Sequence, residues 1–231
     1  MVFLNINLPF FIFAKIFAGS FILLPTNAGS PHLPPRLKKG SNFFRRAKTE
    51  RDRFVNSFQK GAKILDAGCG AGRDSFYFSS KGFDVVGVDL SEKLLGIAKA
   101  KAGHAQNPRF YQLDLRRLLL PKASFDGIWA CASLLHLKRS EILGVLREFY
   151  ELLKPDGRLF VMLKQGTGEA DVAEDLSSGH ARHFTYYAQE ELESLLVKAR
   201  FSVEEIYLYN EKDRDANRRD LVWTSCFARK V

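Results

Sequence analysis

The chain has 231 residues, of which 46% are hydrophobic and 26% charged, so it is long enough for one domain with a sizeable core plus an extension. Its three cysteines, Cys69, Cys131 and Cys226, are too widely spaced for a C-x-x-C metal pair, and their odd number argues against a disulfide framework. This composition favours a reducing compartment, so we expect a cytoplasmic protein that binds no metal.

The net charge of +9 is concentrated at the start of the chain. Residues 1–60 contain ten Lys and Arg against two acidic residues, whereas residues 61–231 contain 25 against 24, a net charge of +1. A basic extension suits contact with RNA or an anionic membrane, and it equally suits a solvated segment without a partner. The charge alone therefore does not make this a nucleic-acid-binding protein.

Residues 1–35 are predicted to be an extension that takes no part in the fold. Met1 to Leu24 is rich in Phe, Ile and Leu and is followed by a stretch rich in Pro, Gly and Ser. Its clean apolar part, Phe10 to Leu24, matches the length of a signal-peptide core and is short for a membrane span. Three interpretations stay open: a membrane or targeting segment that contacts the bilayer through residues 1–24, an interface helix, or an over-long gene start without function.

Residues 36–62 are predicted to be a basic helical lead-in. A helix is expected from Asn42 to Phe58, where apolar residues fall on one face and Thr49-x-x-Asp52 resembles a capping box. Two roles stay open for this helix: it covers a ligand site, or it packs on the edge of the sheet.

The stretch KILDAGCGAGRD, residues 63–74, predicts a buried strand, a tight turn and the start of a helix. Its glycines, Gly68, Gly70 and Gly72, let a ligand approach the backbone, and the helix N-terminus offers unpaired N–H groups. Asp66 adds a carboxylate where the strand ends. Together these groups suit a zwitterion such as the amino-acid end of S-adenosylmethionine, because the G-x-G-x-x-G loop that binds a dinucleotide pyrophosphate is missing.

Strand and helix patterns alternate from Lys63 onward. Strands are predicted at Ile64–Asp66, Asp84–Asp89, Arg109–Leu113, Asp126–Ala130 and Arg158–Leu163. Helices are predicted at Arg73–Lys81, Ser91–Ala102 and Ser140–Leu153, with Ser91 as an N-cap and a turn at Lys154–Gly157. This alternation predicts right-handed βαβ units and a mostly parallel sheet.

The last part of the chain has a different pattern. A helix at Gln189–Ala199 is followed by two β patterns, Phe201–Tyr209 and Leu221–Ala228, which a polar loop joins into a hairpin. The predicted fold of residues 63–231 is therefore α/β and doubly wound. It has a mostly parallel seven-stranded sheet, helices on both faces and a C-terminal antiparallel hairpin.

This order of features, with the motif DAGCGAG at residues 66–72, resembles the class I S-adenosylmethionine-dependent methyltransferases and their Rossmann-like fold. The resemblance covers about Lys63 to Val231. It includes FDGIWACASLLHL at residues 125–137 and a Leu-Lys-Pro-Gly-Gly-like turn in which Asp156 replaces one glycine. It implies an enzyme of this class that uses S-adenosyl-L-methionine, releases S-adenosyl-L-homocysteine and needs no metal.

Three predicted strand ends carry carboxylates, Asp66, Asp89 and Asp114, and ligands of open α/β sheets bind at that edge. Asp89 follows Asp66 by about the spacing at which an acid accepts hydrogen bonds from ribose hydroxyls. The resemblance assigns both hydroxyls to Asp89 and the adenine face to Leu90. It assigns the adenine amino group to Asp114 and places the Leu115 amide against the ring.

Methyl transfer from a sulfonium is a one-step displacement, so a base is needed only when the acceptor must lose a proton. The resemblance places Ala130 beside the cofactor. His136, just beyond the fourth strand, is the candidate base, although the family commonly has a histidine here that only shapes the pocket. Residues 164–187 are predicted to be an irregular lid in which Tyr186 or Tyr187 orients or deprotonates the acceptor, while the other packs in the core.

The predicted function is methyl transfer by in-line displacement to a small-molecule acceptor. The nearly neutral domain supports it, and residues 130–133 read ACAS in place of the Asn/Asp-Pro-Pro-aromatic turn of enzymes that methylate DNA or protein amides. Two alternatives stay open: a tRNA or rRNA methyltransferase that uses the basic stretch Arg36 to Lys60, and a non-catalytic S-adenosylmethionine-binding scaffold. The sequence does not distinguish a monomer from a dimer.

Overall fold

The computed structural model describes residues 50–173, 181–214 and 220–231. The extension 1–35, with its apolar segment, and residues 36–49 of the predicted lead-in lie outside this part. The chain falls into two units, one made of residues 48–170 and 183–231 and the other of residues 1–47 and 171–182. No helix in the three described ranges combines the length and apolar character that crossing a membrane requires.

Nine strands and six α-helices lie in the described ranges. In chain order they are α1 Glu50–Val55, β1 Lys63–Ala67, α2 Arg73–Ser80, β2 Asp84–Asp89, α3 Glu92–Ala102, β3 Arg109–Gln112, β4 Phe125–Cys131, α4 Ile142–Leu152, β5 Leu153–Lys164, β6 Glu169–Ala173, β7 Ala181–Thr185, α5 Gln189–Lys198, β8 Phe201–Asn210, α6 Glu211–Arg214 and β9 Val222–Lys230. A short 3₁₀ helix, Leu134–His136, follows β4.

Seven strands form one sheet in the order β3-β2-β1-β4-β5-β9-β8. Strand β9 runs antiparallel to both of its neighbours, and all other neighbouring strands run parallel. The predicted doubly wound, seven-stranded sheet with an antiparallel C-terminal pair is confirmed. Because β1 pairs with β2 on one side and with β4 on the other, the strand order reverses at β1, and the carboxyl ends of these strands border the crevice where such sheets bind ligands.

Both faces of the sheet are buried. On one face the helix residues Phe54 and Phe78 pack against Trp129 of β4, whose ring stacks on Phe160 of β5 with centroids 4.0 Å apart. Since side chains alternate along a strand, Ile128 points to the opposite face, where it is also fully buried. The apolar faces of β4 and β5 thus account for helices on both sides.

The structure differs from the sequence-based expectations in three places. Helix α1 ends at Val55, three residues before the predicted Phe58, and the expected residues 42–49 of that helix lie outside the described part. The predicted turn at Lys154–Gly157 lies inside β5, at a register shift opposite β4, and Asp156 has a left-handed φ of 62°. A left-handed φ favours glycine, and aspartate is among the few other residues that tolerate it.

The third difference concerns the predicted lid, residues 164–187. It contains two strands, β6 and β7, which pair with each other in a separate two-stranded sheet. At the base of this ribbon the Tyr186 N–H donates to the Gly168 carbonyl at 3.0 Å. The sequence pattern missed the ribbon because its strands satisfy each other's backbone groups and show little of the alternation that marks strands of the main sheet.

Candidate functional site

The glycine loop after β1 is held against β2 by backbone hydrogen bonds. Gly68 and Cys69 donate their N–H groups to the Val88 carbonyl at 2.8 and 2.9 Å. The next N–H, that of Gly70, donates to Asp89 Oδ2 at 2.8 Å. The loop therefore closes over the carboxyl end of β2, with its backbone and the Asp89 carboxylate in direct contact.

The three glycines of this loop have left-handed φ values between 54° and 83°, but they face different surroundings. A Cβ on Gly68 would lie 2.2 Å from the Ser133 Cβ, and one on Gly72 would lie 2.8 Å from the Phe110 ring. A Cβ on Gly70 would meet only Leu94 Cδ1, at 3.8 Å. Packing within the protein thus requires glycine at two positions, whereas at Gly70 there is room for a Cβ, with Leu94 in ordinary van der Waals contact.

The residues that follow β2 shape the rim of this space. The second carboxylate oxygen of Asp89, Oδ1, accepts the Ser91 N–H at 2.8 Å, and Ser91 in turn caps α3 by accepting the Leu94 N–H. Between them the side chain of Leu90 is 60% exposed. An apolar side chain held out beside a carboxylate is suited to one face of a flat ring.

Strand β3 brings Asp114 and Leu115 to the same edge. The Leu113 N–H donates to the Asp89 carbonyl at 3.1 Å, so the loop that carries Asp114 starts beside Asp89. Arg116 donates hydrogen bonds to the Asp114 carboxylate from Nε at 2.9 Å and from Nη2 at 2.5 Å. No sequence pattern indicated this arginine. These bonds hold the pKa of Asp114 below its usual range, so the carboxylate stays ionised and acts as an acceptor. Leu115 is half-buried.

Asp66 lies beneath the glycine loop rather than at its rim. It is 3% exposed, and its Oδ2 accepts the Ser75 hydroxyl at 2.6 Å. Burial, with a further contribution from the Asp74 carboxylate, raises the pKa of Asp66 to about 7. The carboxyl group therefore fastens the first turn of α2 under the loop and changes charge near neutral pH.

The neighbouring buried carboxylate, Asp74, is the centre of a cluster that the sequence analysis did not recognise. It accepts hydrogen bonds from Arg73 Nε at 2.9 Å, from Arg51 Nη1 at 3.2 Å and from Trp129 Nε1 at 3.0 Å. Burial opposes its ionisation most strongly of any single cause, but Arg73, Trp129 and Arg51 together outweigh burial and hold the pKa of Asp74 below its usual range. Asp74 thus ties α1, α2 and β4 together below the loop.

The segment after β4 turns sharply towards the glycine loop. Ala130 is fully buried and pairs with Val161 of β5. Ala132 then adopts a left-handed φ of 55°, which is uncommon for a residue other than glycine. This turn places Ser133 against Gly68, where Ser133 is 9% exposed. No sequence pattern assigns a role to Ser133.

His136 is held by the segment that ends β7. Its Nδ1 lies 3.0 Å from the His183 carbonyl oxygen, and its ring lies 4.9 Å from the ring of Phe184. A carbonyl only accepts hydrogen bonds, so Nδ1 carries the proton and the lone pair of the neutral imidazole is on Nε2. The side chain itself is exposed.

The two tyrosines after β7 differ in burial, and Arg139 organises both. Tyr186 is half-buried, whereas Tyr187 is fully buried, and burial raises the pKa of Tyr187 to about 12. Arg139 Nη2 donates to the Tyr186 carbonyl at 2.7 Å, and its guanidinium lies 4.8 Å from the centre of the Tyr187 ring. It also pairs with Glu191 of α5. Arg139 had no recognisable signal in the sequence, where it follows Lys138 in a short charged loop.

The structure therefore collects most of the predicted cofactor residues at one edge of the sheet. The members of this group at the rim are Gly68, Gly70, Asp89, Leu90, Asp114 and Leu115. Asp66 lies below the loop, and Ala130 is buried at the end of β4. His136 and Tyr186 belong to the segments after β4 and β7, which Arg139 connects.

Metal-ligating side chains do not cluster in this part of the structure. Across residues 50–173, 181–214 and 220–231 there is no group of three or more His, Cys, Asp or Glu side chains arranged to hold a metal ion. All three cysteines are free thiols, and burial raises the pKa of Cys69 and Cys131, so both stay protonated near neutral pH.

Comparison with known proteins shows that the chain is similar to methyltransferases. The family model described as "Methyltransferase domain" matches residues 64–157. YqeM of Bacillus subtilis (strain 168) is 33% identical over 121 residues, which are 52% of this chain and 49% of YqeM. The chain spans about half the length of the curated relatives it matches.

Solved structures agree with the fold. A protein from Methanosarcina mazei described as an S-adenosylmethionine-dependent methyltransferase has a TM-score of 0.68 at 21% identity, covering 78% of this chain and 97% of its own. The 1,6-didemethyltoxoflavin-N1-methyltransferase of Burkholderia thailandensis has a TM-score of 0.63 at 26% identity, covering 78% and 76%. The latter was solved with 1,6-didemethyltoxoflavin and S-adenosylhomocysteine bound.

Proposed function

We propose that the chain is a class I S-adenosylmethionine-dependent methyltransferase that transfers a methyl group to a small-molecule acceptor, because part of its sequence is similar to methyltransferases and its fold is that of solved methyltransferase structures. The observation that carries this proposal is the contact between Gly70 and Asp89, where the missing side chain of Gly70 leaves room beside Leu94. A glycine that protein packing does not require, beside a carboxylate at a strand end, is what a closely approaching ligand needs.

The groups at this edge fit the parts of S-adenosylmethionine. The Asp89 carboxylate would accept hydrogen bonds from the ribose hydroxyls, and the exposed Leu90 side chain would cover one face of the adenine. Asp114, held ionised by Arg116, would accept from the adenine amino group, with the Leu115 amide beside the ring. The glycine loop and the segment after Ala130 would hold the amino-acid end.

S-Adenosylmethionine would supply a methyl group on a sulfonium, and the acceptor would attack this methyl and displace S-adenosylhomocysteine as the leaving group in one step. The protein contributes by aligning the acceptor with the methyl and sulfur, which is worth about 7–11 kcal/mol in well-oriented reactions. The segments that carry His136 and Tyr186 would form the acceptor side of the pocket. Arg139 fixes the second of these segments through the Tyr186 carbonyl.

His136 is the candidate base where the acceptor must lose a proton. Its Nδ1–H is oriented by the His183 carbonyl, so the neutral ring presents its basic lone pair on Nε2. Tyr186 would orient the acceptor or take part in proton removal. The fully buried Tyr187 supports the pocket wall instead.

A small-molecule acceptor is supported by the ligand that the Burkholderia thailandensis enzyme holds. Residues 61–231 have a net charge of only +1, so the general attraction between basic residues and nucleic acid phosphates is weak for this part of the chain. The alternative of an RNA substrate depends on the stretch Arg36 to Lys60, of which residues 36–49 lie outside the described part.

The experiment that tests this proposal is calorimetric binding of S-adenosylmethionine and S-adenosylhomocysteine to the full chain, with NAD as the control ligand. Micromolar binding of both and none of NAD is expected. Transfer of labelled methyl should then be screened against metabolite pools and, in parallel, total RNA. Transfer only to RNA would replace the small-molecule acceptor, and absence of binding would overturn the proposal.

A further inference from the structure

Arg116 is shared between two carboxylates that belong to different loops. Its Nε and Nη2 bind the Asp114 carboxylate, and its Nη1 lies 3.2 Å from Glu141 Oε1. Asp114 follows β3, whereas Glu141 ends the loop after β4 and directly precedes α4. The arginine therefore joins the adenine side of the proposed site to the loop that contains His136.

Glu141 continues this connection to the backbone of its own loop. Its other oxygen, Oε2, accepts the Lys138 N–H at 2.9 Å. The Lys138 N–H and the Arg116 guanidinium hold the pKa of Glu141 below its usual range, so the carboxylate is charged at neutral pH. Each oxygen of Glu141 thus has its own partner, one in each loop.

The residues on either side of Lys138 are bonded to the segment at the end of β7. The Leu137 carbonyl accepts the Thr185 hydroxyl at 2.6 Å. Arg139 Nη2 donates to the Tyr186 carbonyl at 2.7 Å. A continuous chain of contacts therefore leads from the loop after β3 to the segment that would form the acceptor side of the pocket.

This chain of contacts differs from an isolated surface ion pair. The side chain of Arg116 is 49% exposed and that of Glu141 is 26% exposed, and a single pair at such exposure contributes little. Arg116, however, binds Asp114 through two nitrogens, and Glu141 is held by a backbone N–H as well as by the guanidinium. Paired bonds of this kind fix the geometry of each group, so a contact that fixes Asp114 also restricts Glu141.

We propose that Glu141 is a positioning residue that couples the adenine side of the proposed site to the acceptor side. A ligand that donates a hydrogen bond to Asp114 fixes Arg116 and Glu141, and with them the backbone of residues 137–139. This inference rests on the proposed function and extends it, because cofactor binding then orders the segment that receives the acceptor.

The test measures hydrogen exchange of backbone amides in the full chain, with and without saturating S-adenosylhomocysteine. Slower exchange means that a segment opens less often. Glu141→Gln has one accepting oxygen instead of two, so it cannot hold Lys138 and Arg116 through separate oxygens. The matched control is Glu148→Gln. Glu148 lies on α4 and contacts the same loop after β3 by accepting the Leu118 N–H at 2.8 Å, a bond that an amide oxygen can keep.

In wild type, S-adenosylhomocysteine should slow exchange about fivefold or more at residues 137–141 and 185–187, and also at the glycine loop, residues 68–72. In Glu141→Gln the slowing should persist at the glycine loop and fall below about twofold at the other two segments. Glu148→Gln should behave like wild type. Arg116→Met breaks the same chain of contacts, so it should show the same loss, and the double variant should lose no more than either single variant.

Three results would overturn the inference. The first is wild-type slowing at residues 137–141 in Glu141→Gln, which would mean that the ligand contacts this segment directly or that Glu141 only supports the fold. The second is a wild-type protein in which the ligand slows exchange at the glycine loop and not at residues 137–141. The third is a wild-type protein that does not bind S-adenosylhomocysteine, and only this result would also overturn the proposed function.

Discussion

Gly70 and Asp89 are joined by a hydrogen bond of 2.8 Å from the Gly70 N–H to Asp89 Oδ2, which links the loop after β1 to the end of β2. The same carboxylate accepts the Ser91 N–H through its other oxygen. Asp89 therefore stabilises the conformation of the glycine loop, and it also places a negative charge at the rim of the proposed site.

Asp89→Ala should weaken S-adenosylhomocysteine binding by about 1–3 kcal/mol, because the ligand loses its acceptor and the loop loses its anchor. Asp84→Ala is the matched control at the other end of β2, where Asp84 makes an exposed ion pair with Arg109. That pair is worth about 0–1 kcal/mol of stability and has no part in binding. Calorimetry measures the affinity of both variants for S-adenosylhomocysteine. Wild-type affinity of Asp89→Ala would show that Asp89 does not contribute to the binding site.

Gly70→Val should abolish measurable binding of S-adenosylhomocysteine, because the new side chain fills the space that the glycine leaves open. Gly103→Val is the control, since Gly103 has a similar left-handed φ of 58° and no atom within 4 Å of its missing Cβ. Gly103 combines this φ with a ψ of −123°, a conformation that valine avoids, so the control variant is also expected to lose stability through backbone strain. Denaturant unfolding measures the loss in each variant, and binding should be lost only in Gly70→Val; equal binding by both would argue against a ligand at Gly70.

Asp66→Asn should change how stability depends on pH. The pKa of Asp66 is raised to about 7 in the folded chain, against 3.8 for an unperturbed aspartate, so between these values the folded state holds the proton more tightly than the unfolded state. The contribution of Asp66 to stability is therefore fully present below about pH 4 and is lost as the pH rises through 7.

The asparagine variant lacks this titration, and its amide oxygen still accepts the Ser75 hydroxyl. The stability of wild type relative to Asp66→Asn should thus fall between pH 5 and pH 7, with a slope of up to about 1.4 kcal/mol per pH unit. Urea unfolding at pH 5, 6, 7 and 8 measures it. Parallel curves for the two proteins would show that the carboxyl group does not titrate in this range.

Arg139→Met should reduce methyl transfer while leaving S-adenosylhomocysteine affinity within about twofold of wild type. The arginine connects the segment after β4 to Tyr186 and α5, and it does not border the glycine loop. Loss of these bonds should also lower stability by about 1–3 kcal/mol. Lys138→Met is the control for removing a positive charge next to it, because that side chain is exposed. A parallel loss of cofactor affinity would show that Arg139 acts on the whole site.

His136→Gln should lower kcat by about 100-fold or more if the acceptor must lose a proton, with little change in the KM for S-adenosylmethionine. Glutamine keeps a donor for the His183 carbonyl, so the segment should keep its position. His104→Gln, in the exposed turn after α3, controls for the loss of a histidine. An unchanged kcat and pH profile would show that His136 only shapes the pocket.

Much of this protein could be predicted from short stretches of its sequence. The stretch KILDAGCGAGRD specifies a strand, a turn and a helix start through apolar residues and glycines that are close in sequence. Asp89 and Asp114 likewise fall at strand ends that local patterns identify. The order of these elements and the antiparallel pair at the end then lead to one sheet topology, because connections between parallel strands are right-handed and short.

Only the tertiary structure decided which side chains meet around these elements. Arg139 contacts Tyr186 across 47 positions of sequence, and no local pattern marks either residue as the other's partner. Ser133 lies against Gly68 because Ala132 adopts a strained turn, and Asp66 lies below the loop because Ser75 binds it there. Helices and strands depend on neighbours along the chain, whereas burial, ion pairing and pKa values depend on neighbours in space, which become defined only when the sheet has formed.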